Sequence, residues 1–302
     1  MFPKLPRVHL KEDNFKLPKE IRLAKFAGFC YGVKRAVETV KKLKSENPER
    51  NICVLGELIH NAQVIEELDA LGIESVSVLP DKGEGICVVR SHGESPEVFE
   101  QIKNAGFEVY DLTCPDVKKV QQKAVELATA GYYVVIVGKA EHPEVVAIKA
   151  NALQYSENVI VAATVDELEP YFNDLKSHKN IGVVVQTTQM ISTLNEIVQY
   201  LTPIAKELRV VNTICQSTAM RQAEAKELAK DSDLMIVVGS KKSANTTHLA
   251  EILKEITQTI HIETDVELVE YKDLIEKANK ISVTAGASTP QNVIDKVIEK
   301  LK

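Results

Sequence analysis

The sequence predicts an α/β protein built from three related small units with mostly parallel sheets, and two observations lead to this fold class. Nearly unbroken Val/Ile runs alternate along the chain with amphipathic helical segments, as expected when helices cover both faces of a parallel sheet. A group of motifs also recurs three times in the same order, which is typical of an internal repeat. The 302 residues are enough for three small units.

Hydrophobic periodicity predicts the elements in chain order. The predicted strands are Ile52–Leu55, Ile86–Val89, Tyr132–Val137, Val159–Ala162, Ile181–Val185, Leu234–Val238 and Ile281–Thr284. The predicted helices include Val33–Leu43, Gln63–Leu71, Val117–Ala130, Ile191–Leu201, Arg221–Lys230 and Asn292–Leu301.

The repeat sets the predicted unit boundaries. In the second and third units a glycine at a strand end follows a cysteine by 24 residues, and a hydroxyl residue after a later strand follows that glycine by 49. The corresponding offsets in the first unit are 26 and 35. The repeated positions are Cys30, Gly56 and Ser91, then Cys114, Gly138 and Thr187, then Cys215, Gly239 and Ser288. We therefore predict an N-terminal extension over residues 1–20 and units at 21–112, 113–211 and 212–302. Since ligands bind at the carboxyl ends of parallel strands, these loops are expected to face one central cavity.

Composition limits the function classes. The formal net charge is −6 and no Lys/Arg run stands out, so a nucleic-acid partner is not expected. No apolar stretch approaches the roughly 20 residues of a membrane span, and the first residues resemble neither a secretory signal nor a transit peptide. We expect a cytoplasmic protein without a membrane partner. Five cysteines, an odd number, favour thiols or metal ligands over disulfides.

Three of the five cysteines are predicted to bind a metal. Cys30, Cys114 and Cys215 each fall where a loop meets a helix, and a helix N-terminus favours the thiolate that binds metals. Cys53 and Cys87 lie inside strand runs and are predicted to pack in the core. Thiolates suit zinc or iron–sulfur clusters, but no local C-x-x-C pair of a structural zinc site is present. In a four-iron cubane, three cysteines would leave one iron open to a substrate oxygen.

A second group of residues is suited to anions. Three of the seven histidines, His60, His92 and His142, fall in equivalent loops of the repeat, near hydroxyl and amide side chains. The other hydroxyl and amide candidates are Ser243, Asn245 and Ser288. Such groups at helix N-termini predict a site for a small anionic group such as a diphosphate. The GxxxxGK[ST] sequence of a nucleotide P-loop is absent. His9, His178, His248 and His261 lie outside these loops and are predicted to be surface or structural residues.

Glu144 follows His142 in one of these loops and is predicted to donate protons in the cavity. The alternative is an ordinary acidic residue at a helix N-terminus, which the helix dipole favours. Thr187 and Thr188 are candidates to relay or orient the proton.

These residues form a set of motifs that resembles the IspH/LytB family of 4-hydroxy-3-methylbut-2-enyl diphosphate reductases. The similarity runs from about residue 22 to the C-terminus. The motifs are Gly28-Phe29-Cys30-Tyr31-Gly32-Val33, Gly56-Glu57-Leu58-Ile59-His60-Asn61, Arg90-Ser91-His92-Gly93, Asp111-Leu112-Thr113-Cys114-Pro115, His142-Pro143-Glu144, Gln186-Thr187-Thr188, Asn212-Thr213-Ile214-Cys215, Ser243-Ala244-Asn245 and Ala287-Ser288-Thr289-Pro290. Only the N-terminal extension departs from the family pattern.

The resemblance implies three α/β domains in a pseudo-threefold trefoil around one [4Fe–4S] cluster. It implies Cys30, Cys114 and Cys215 as cluster ligands, with one iron open. It implies that the diphosphate is bound by His60, His92, His142, Ser243, Asn245 and Ser288. Glu144 would supply protons with the help of Thr187 and His142, and Thr187 and Thr188 would also contact the substrate.

The implied reaction is a two-electron reductive dehydroxylation that gives isopentenyl and dimethylallyl diphosphate, the last step of the non-mevalonate pathway. Because the chain has no GxGxxG dinucleotide fingerprint, we expect a separate one-electron donor such as a ferredoxin or flavodoxin. A monomer is expected. Two alternatives are another three-cysteine cluster enzyme of the quinolinate synthase type and a non-catalytic anion-binding or iron-sensing protein.

Overall fold

A computed structural model describes residues 20–302, which form twelve β-strands and eleven α-helices. The strands are β1 (Glu20–Leu23), β2 (Ile52–Leu55), β3 (Ile73–Val76), β4 (Ile86–Val89), β5 (Glu108–Asp111), β6 (Tyr133–Val137), β7 (Val159–Ala162), β8 (Asn180–Val185), β9 (Glu207–Val211), β10 (Leu234–Val238), β11 (Thr259–Ile262) and β12 (Lys280–Ala285). The helices are α1 (Tyr31–Glu46), α2 (Ala62–Ala70), α3 (Pro96–Asn104), α4 (Pro115–Thr129), α5 (Pro143–Leu153), α6 (Phe172–His178), α7 (Ile191–Leu201), α8 (Gln216–Lys230), α9 (Ala244–Lys254), α10 (Lys272–Lys277) and α11 (Gln291–Leu301). The predicted N-terminal extension lies outside the described residues, except for Glu20.

The strands form three four-stranded sheets in which every neighbouring pair is parallel, which confirms the predicted fold class. The orders are β3-β2-β4-β5, β7-β6-β8-β9 and β11-β10-β12-β1. The three sheets therefore share one topology, but the third takes its last strand from the other end of the chain. Each cysteine of the repeat follows an edge strand of one sheet, β1, β5 or β9, and the chain then continues into another sheet. The three sheets are therefore linked in a closed ring.

This ring bears on the predicted unit boundaries. The boundaries at 113 and 212 lie two residues and one residue after the ends of the edge strands β5 and β9. The start of the predicted first unit, residue 21, falls inside β1, whose residues pair with β12 of the third sheet, for example Ile21 with Ile281. The division of the chain into domains stays a prediction.

The predicted strands comprise all six inner strands of the three sheets and one edge strand, β7. The other edge strands, β1, β3, β5, β9 and β11, were not predicted. The inner strands are mostly buried and mostly apolar, with Ser282 and Thr284 as buried exceptions in β12, whereas β5, for example, reads Glu-Val-Tyr-Asp. An edge strand leaves part of its surface in water, so polar residues interrupt the apolar pattern.

Candidate active site

The carboxyl ends of the three sheets surround one central cavity of about 730 Å³, counting the part that opens to solvent. All twelve site residues named from the sequence line this cavity. They are Cys30, His60, His92, Cys114, His142, Glu144, Thr187, Thr188, Cys215, Ser243, Asn245 and Ser288. The structure thus brings together side chains from loops up to 258 residues apart in sequence.

Each of the three cysteines is the N-cap residue of a helix. Cys30 precedes α1, Cys114 precedes α4 and Cys215 precedes α8. The Cys30 Sγ accepts a hydrogen bond from the Val33 N–H at 3.5 Å, and the Cys215 Sγ accepts one from the Thr218 N–H at 3.3 Å. Free N–H groups and the positive end of the helix dipole favour a thiolate at each position.

The backbone of each cysteine is tied to the preceding sheet in the same way. The Cys30 N–H donates to the Ala287 carbonyl after β12 at 3.1 Å. The Cys114 N–H donates to the Ser91 carbonyl after β4 at 3.0 Å, and the Cys215 N–H donates to the Thr187 carbonyl after β8 at 3.0 Å. The same backbone hydrogen bond in all three units therefore fixes each thiol where one sheet leads into the next.

The space between the thiols suits a sulfur-ligated group. A Cβ added to Gly32 would lie 2.7 Å from the Cys114 Sγ and 3.9 Å from the Cys30 Sγ, so only glycine leaves this position open. Burial raises the pKa of the Cys114 thiol to about 11 and also raises the pKa of Cys215. Thiols that are costly to ionise alone, as Cys114 and Cys215 are, are stabilised as thiolates by a bound cation or metal cluster.

The three loop histidines form a second cluster. The ring centroids of His60 and His92 lie 4.6 Å apart, those of His92 and His142 lie 5.5 Å apart, and those of His60 and His142 lie 6.1 Å apart. Burial lowers the pKa of His142 to about 4 and holds the pKa of His92 well below its usual value. Mutual repulsion with the His60 ring acts in the same direction. These two imidazoles are therefore neutral at pH 7.

Two polar atoms of the cavity wall lack a partner among the described residues. The buried His92 Nδ1 and Asn245 Nδ2 form no hydrogen bond with the described residues. The Ser288 hydroxyl donates to the His60 carbonyl at 3.2 Å, which links the third unit to the first. Ser243 is buried at the N-terminus of α9. Because buried polar atoms are normally satisfied, the unpartnered ones point to a polar ligand.

Glu144 is almost completely buried, at 2% exposure, on the first turn of α5. Its two carboxylate oxygens accept from the backbone N–H and the hydroxyl of Thr187, at 2.7 and 2.8 Å. Burial raises the pKa of Glu144 to about 7, although both hydrogen bonds act to lower it. A carboxylic acid with this pKa can hold and release a proton near neutral pH.

Sequence reasoning missed several residues around the cavity. Asp116 lines it and accepts a hydrogen bond from the Tyr31 hydroxyl at 2.8 Å, which joins α4 to α1. Thr218 also lines it, and its hydroxyl lies 3.1 Å from the Cys215 Sγ. Both follow a candidate ligand by two or three residues, and the first turn of a helix that begins at a metal ligand was the available signal.

The remaining predicted residues stand apart from the cavity. Cys87 is buried in the core as predicted, and Cys53, opposite it on β2, packs against the same cluster but is only partly buried. His248 is buried and lies 2.9 Å from the Thr188 carbonyl, a structural contact behind the site. His178 and His261 contact backbone carbonyls away from it. His9 lies outside the described residues.

Comparison with known proteins decides the family. A family model described as LytB protein matches residues 21–302. The chain belongs to the LytB family. Among its relatives, the 4-hydroxy-3-methylbut-2-enyl diphosphate reductase of Geobacter sulfurreducens is 42% identical and covers 94% of this chain and 97% of its own length. The reductase of Syntrophotalea carbinolica is 40% identical, with coverages of 93% and 98%.

Solved structures of LytB-type reductases share the fold. One, described as (E)-4-hydroxy-3-methyl-but-2-enyl diphosphate reductase, the terminal enzyme of the non-mevalonate pathway, is 36% identical with a TM-score of 0.69 and covers 93% of this chain and 98% of its own. The Plasmodium falciparum E-1-hydroxy-2-methyl-but-2-enyl-4-diphosphate reductase is 27% identical with a TM-score of 0.85, covering 93% and 87%. Within residues 20–302, every helix is too short or too polar to cross a bilayer.

Proposed function

We propose that this chain is a 4-hydroxy-3-methylbut-2-enyl diphosphate reductase, which converts the (E)-4-hydroxy diphosphate to isopentenyl and dimethylallyl diphosphate. The observation that carries the proposal is a single cavity lined by three thiols, a buried carboxylic acid and an imidazole cluster. Membership in the LytB family and the activity named for its relatives support it. The substrate has a hydroxyl at one end and a diphosphate at the other, and the cavity offers a different set of groups for each.

The cofactor is proposed to be an iron–sulfur cluster held by Cys30, Cys114 and Cys215. The open space that Gly32 leaves beside two of these thiols fits a bulky sulfur-ligated group. When bound, a [4Fe–4S] cluster with three protein ligands supplies electrons singly and an iron that can act as a Lewis acid. The helix N-termini behind Cys30 and Cys215 stabilise its negative charge.

The diphosphate is proposed to bind at the histidine cluster. His142 accepts the Glu144 N–H at Nδ1, so the neutral imidazole carries its proton on Nε2 and can donate it to a phosphate oxygen. The unpartnered Asn245 Nδ2 is a second donor, and His60, His92, Ser243 and Ser288 complete the set. A bound anion also raises the depressed pKa values of His92 and His142, so binding draws protons into the cavity.

Glu144 is proposed to deliver the proton that the departing hydroxyl needs. With a pKa of about 7, a substantial fraction of Glu144 is protonated at neutral pH. Thr187 holds the carboxyl group through two hydrogen bonds, which fixes the direction of the proton. Thr188, the next residue, also lines the cavity and is proposed to contact the substrate.

The finer assignments remain part of the proposal. The electron source is proposed to be a separate one-electron donor such as a ferredoxin or flavodoxin, since the sequence lacks a dinucleotide fingerprint. The cytoplasmic location and the monomeric state stay predictions.

Anaerobic purification tests the function. We expect a coloured protein with about four irons and four sulfides per chain, as a single cubane requires. With reduced methyl viologen it should consume (E)-4-hydroxy-3-methylbut-2-enyl diphosphate and release both products. The matched control is the same alcohol without its diphosphate, which should react far more slowly. An iron-free, folded protein that binds the diphosphate without consuming it would favour a binding protein instead.

A further inference from the structure

Arg221 is a buried arginine on one of the three helices that begin at the cavity cysteines. It lies on α8 six residues after Cys215 and is only 3% exposed. The equivalent positions after Cys30 and Cys114 are Ala36 and Val120, both fully buried and apolar. The repeat therefore accepts an apolar residue here, and a buried guanidinium in one unit alone calls for a reason other than packing.

The partners of Arg221 are backbone carbonyls. Its guanidinium donates to the carbonyls of Phe26, Gly28 and Ala285, the last two at 2.9 and 2.8 Å. Its Nε has no partner among residues 20–302, and no carboxylate of those residues forms an ion pair with it. The carbonyls satisfy both terminal nitrogens of the guanidinium but leave its positive charge without a contacting counterion.

These three carbonyls belong to the two segments that position the backbone of Cys30. Phe26 and Gly28 lie in the segment between β1 and Cys30, and Ala285 ends β12, two residues before the carbonyl that accepts the Cys30 N–H. Glu224, one turn further along α8, holds the same segment from the other side by accepting the N–H groups of Lys25 and Phe26 at 2.7 and 2.8 Å. The helix that begins at Cys215 thus clamps the segment that leads to Cys30, across 185 residues of sequence.

The charge of Arg221 also acts on the thiols. Burial lowers the pKa of Arg221, while the negative charges of Cys30, Cys215 and Glu224 oppose that shift, which places both sulfurs and the Glu224 carboxylate within electrostatic range of the guanidinium. A guanidinium stays protonated in proteins. Its cost of burial is therefore offset in part by Glu224 and in part by the thiolates and any anionic group that they hold.

We infer that Arg221 is a positioning residue that fixes Cys30 relative to Cys215 and offsets the negative charge of the metal site. This inference rests on the proposed function for the presence of the cluster. It predicts that Arg221 strengthens cluster retention and makes the cluster easier to reduce, because added electrons are stabilised by a nearby positive charge.

Two substitutions distinguish the clamp, meaning the hydrogen bonds of Arg221 to the three carbonyls, from the effect of its positive charge. Arg221→Met keeps the volume and removes both, whereas Arg221→Lys keeps the charge but offers one nitrogen in place of the two that reach the three carbonyls. In Arg221→Met we expect metal affinity to fall about ten- to a hundredfold, the usual effect of residues behind metal ligands, so that a chelator removes iron faster. We also expect the reduction potential to become more negative. In Arg221→Lys we expect faster iron release with a potential close to that of the wild type.

Arg35→Met is the matched control. Arg35 on α1 donates to the carbonyls of Leu112 and Thr113, just before Cys114, but it is only partly buried and its charge is screened by water. We expect the reduction potential of the cluster to shift less in Arg35→Met than in Arg221→Met. Equal shifts in Arg35→Met and Arg221→Met would overturn the charge argument. Wild-type iron release in Arg221→Met would overturn the clamp.

Hydrogen exchange gives a readout that needs no substrate. Amides of residues 24–30 should exchange faster in Arg221→Met than in the wild type, and unchanged exchange would contradict the clamp. Iron release, potential and exchange do not depend on which compound the enzyme reduces. A wild-type protein that holds its cluster yet leaves the diphosphate untouched would therefore refute the proposed function without deciding the role of Arg221.

Discussion

Thr187 donates both its backbone N–H and its hydroxyl to the carboxylate of Glu144, at 2.7 and 2.8 Å. The two residues lie 43 positions apart, on the loop after β8 and the first turn of α5. This contact holds an acid of raised pKa in one orientation at the cavity wall. The same Thr187 carbonyl accepts the Cys215 N–H, so the proposed proton donor and a proposed cluster ligand share one backbone support.

Replacing Glu144 by Gln should remove the proton donor and little else. We expect kcat to fall about 10²- to 10⁴-fold, the usual range for a general acid, with iron content and KM near wild type. The measurement is steady-state reduction of the diphosphate by reduced methyl viologen. Turnover at the wild-type rate would show that the proton comes from another group.

Thr187→Val should move the pH dependence of turnover. The hydroxyl stabilises the ionised Glu144, and a hydrogen bond to a charged group is worth about 1.5–3 kcal/mol, so its loss raises the pKa of Glu144 by about one to two units. The rate, which should fall as pH rises through about 7 in the wild type, should then fall at higher pH. Thr187→Ser keeps the hydroxyl and should restore the wild-type profile of kcat against pH.

Glu144 should also make the free energy of unfolding depend on pH. Its pKa is raised from 4.5 to about 7 in the folded protein, so the folded state binds more protons between these values, and this contribution to stability is lost as pH rises through 7. The Gln variant lacks this dependence. In metal-free protein we expect Glu144→Gln to gain about 3 kcal/mol relative to wild type between pH 4 and pH 8. Thermal melting of both proteins measures this, and a constant difference would mean that Glu144 titrates normally.

Serine at Cys30, Cys114 or Cys215 should abolish stable iron binding and activity together while the α/β fold persists, because serine is a poor ligand for iron at neutral pH. Iron analysis and far-UV circular dichroism measure the two properties. Cys53→Ser is the control, since Cys53 lies in β2 away from the cavity, and it should retain its iron.

Gly32→Ala should weaken the metal site without weakening the fold. Alanine usually stabilises a helix by up to about 1 kcal/mol over glycine, but its Cβ would lie 2.7 Å from the Cys114 Sγ. We therefore expect an unchanged or higher melting temperature and a lower iron content. Lys34→Ala, an exposed substitution on the same helix, is the control and should leave iron content unchanged. Full iron content in Gly32→Ala would mean that the thiols have room to move.

Local sequence patterns predicted much of the molecule. Mostly apolar runs predicted every inner strand, because a strand covered on both faces has few polar positions; in β12 the exceptions are the buried hydroxyl residues Ser282 and Thr284. The spacing of the repeat predicted which loops would meet, because equivalent loops of parallel units lie at equivalent sheet edges. The edge strand β5 was missed because its first and last residues, Glu108 and Asp111, are polar and interrupt the apolar run.

The sequence by itself therefore determined the fold class, the three cysteines at helix N-termini and twelve of the residues that line the cavity. Only the tertiary structure decided that β1 completes the third sheet, that Glu144 is buried against Thr187, and that Arg221 clamps the segment before Cys30. The physical reason is the separation in sequence of the residues that interact. Periodicity and capping depend on neighbours a few residues away, whereas burial, pKa and the closure of the ring depend on contacts between units that no local pattern records.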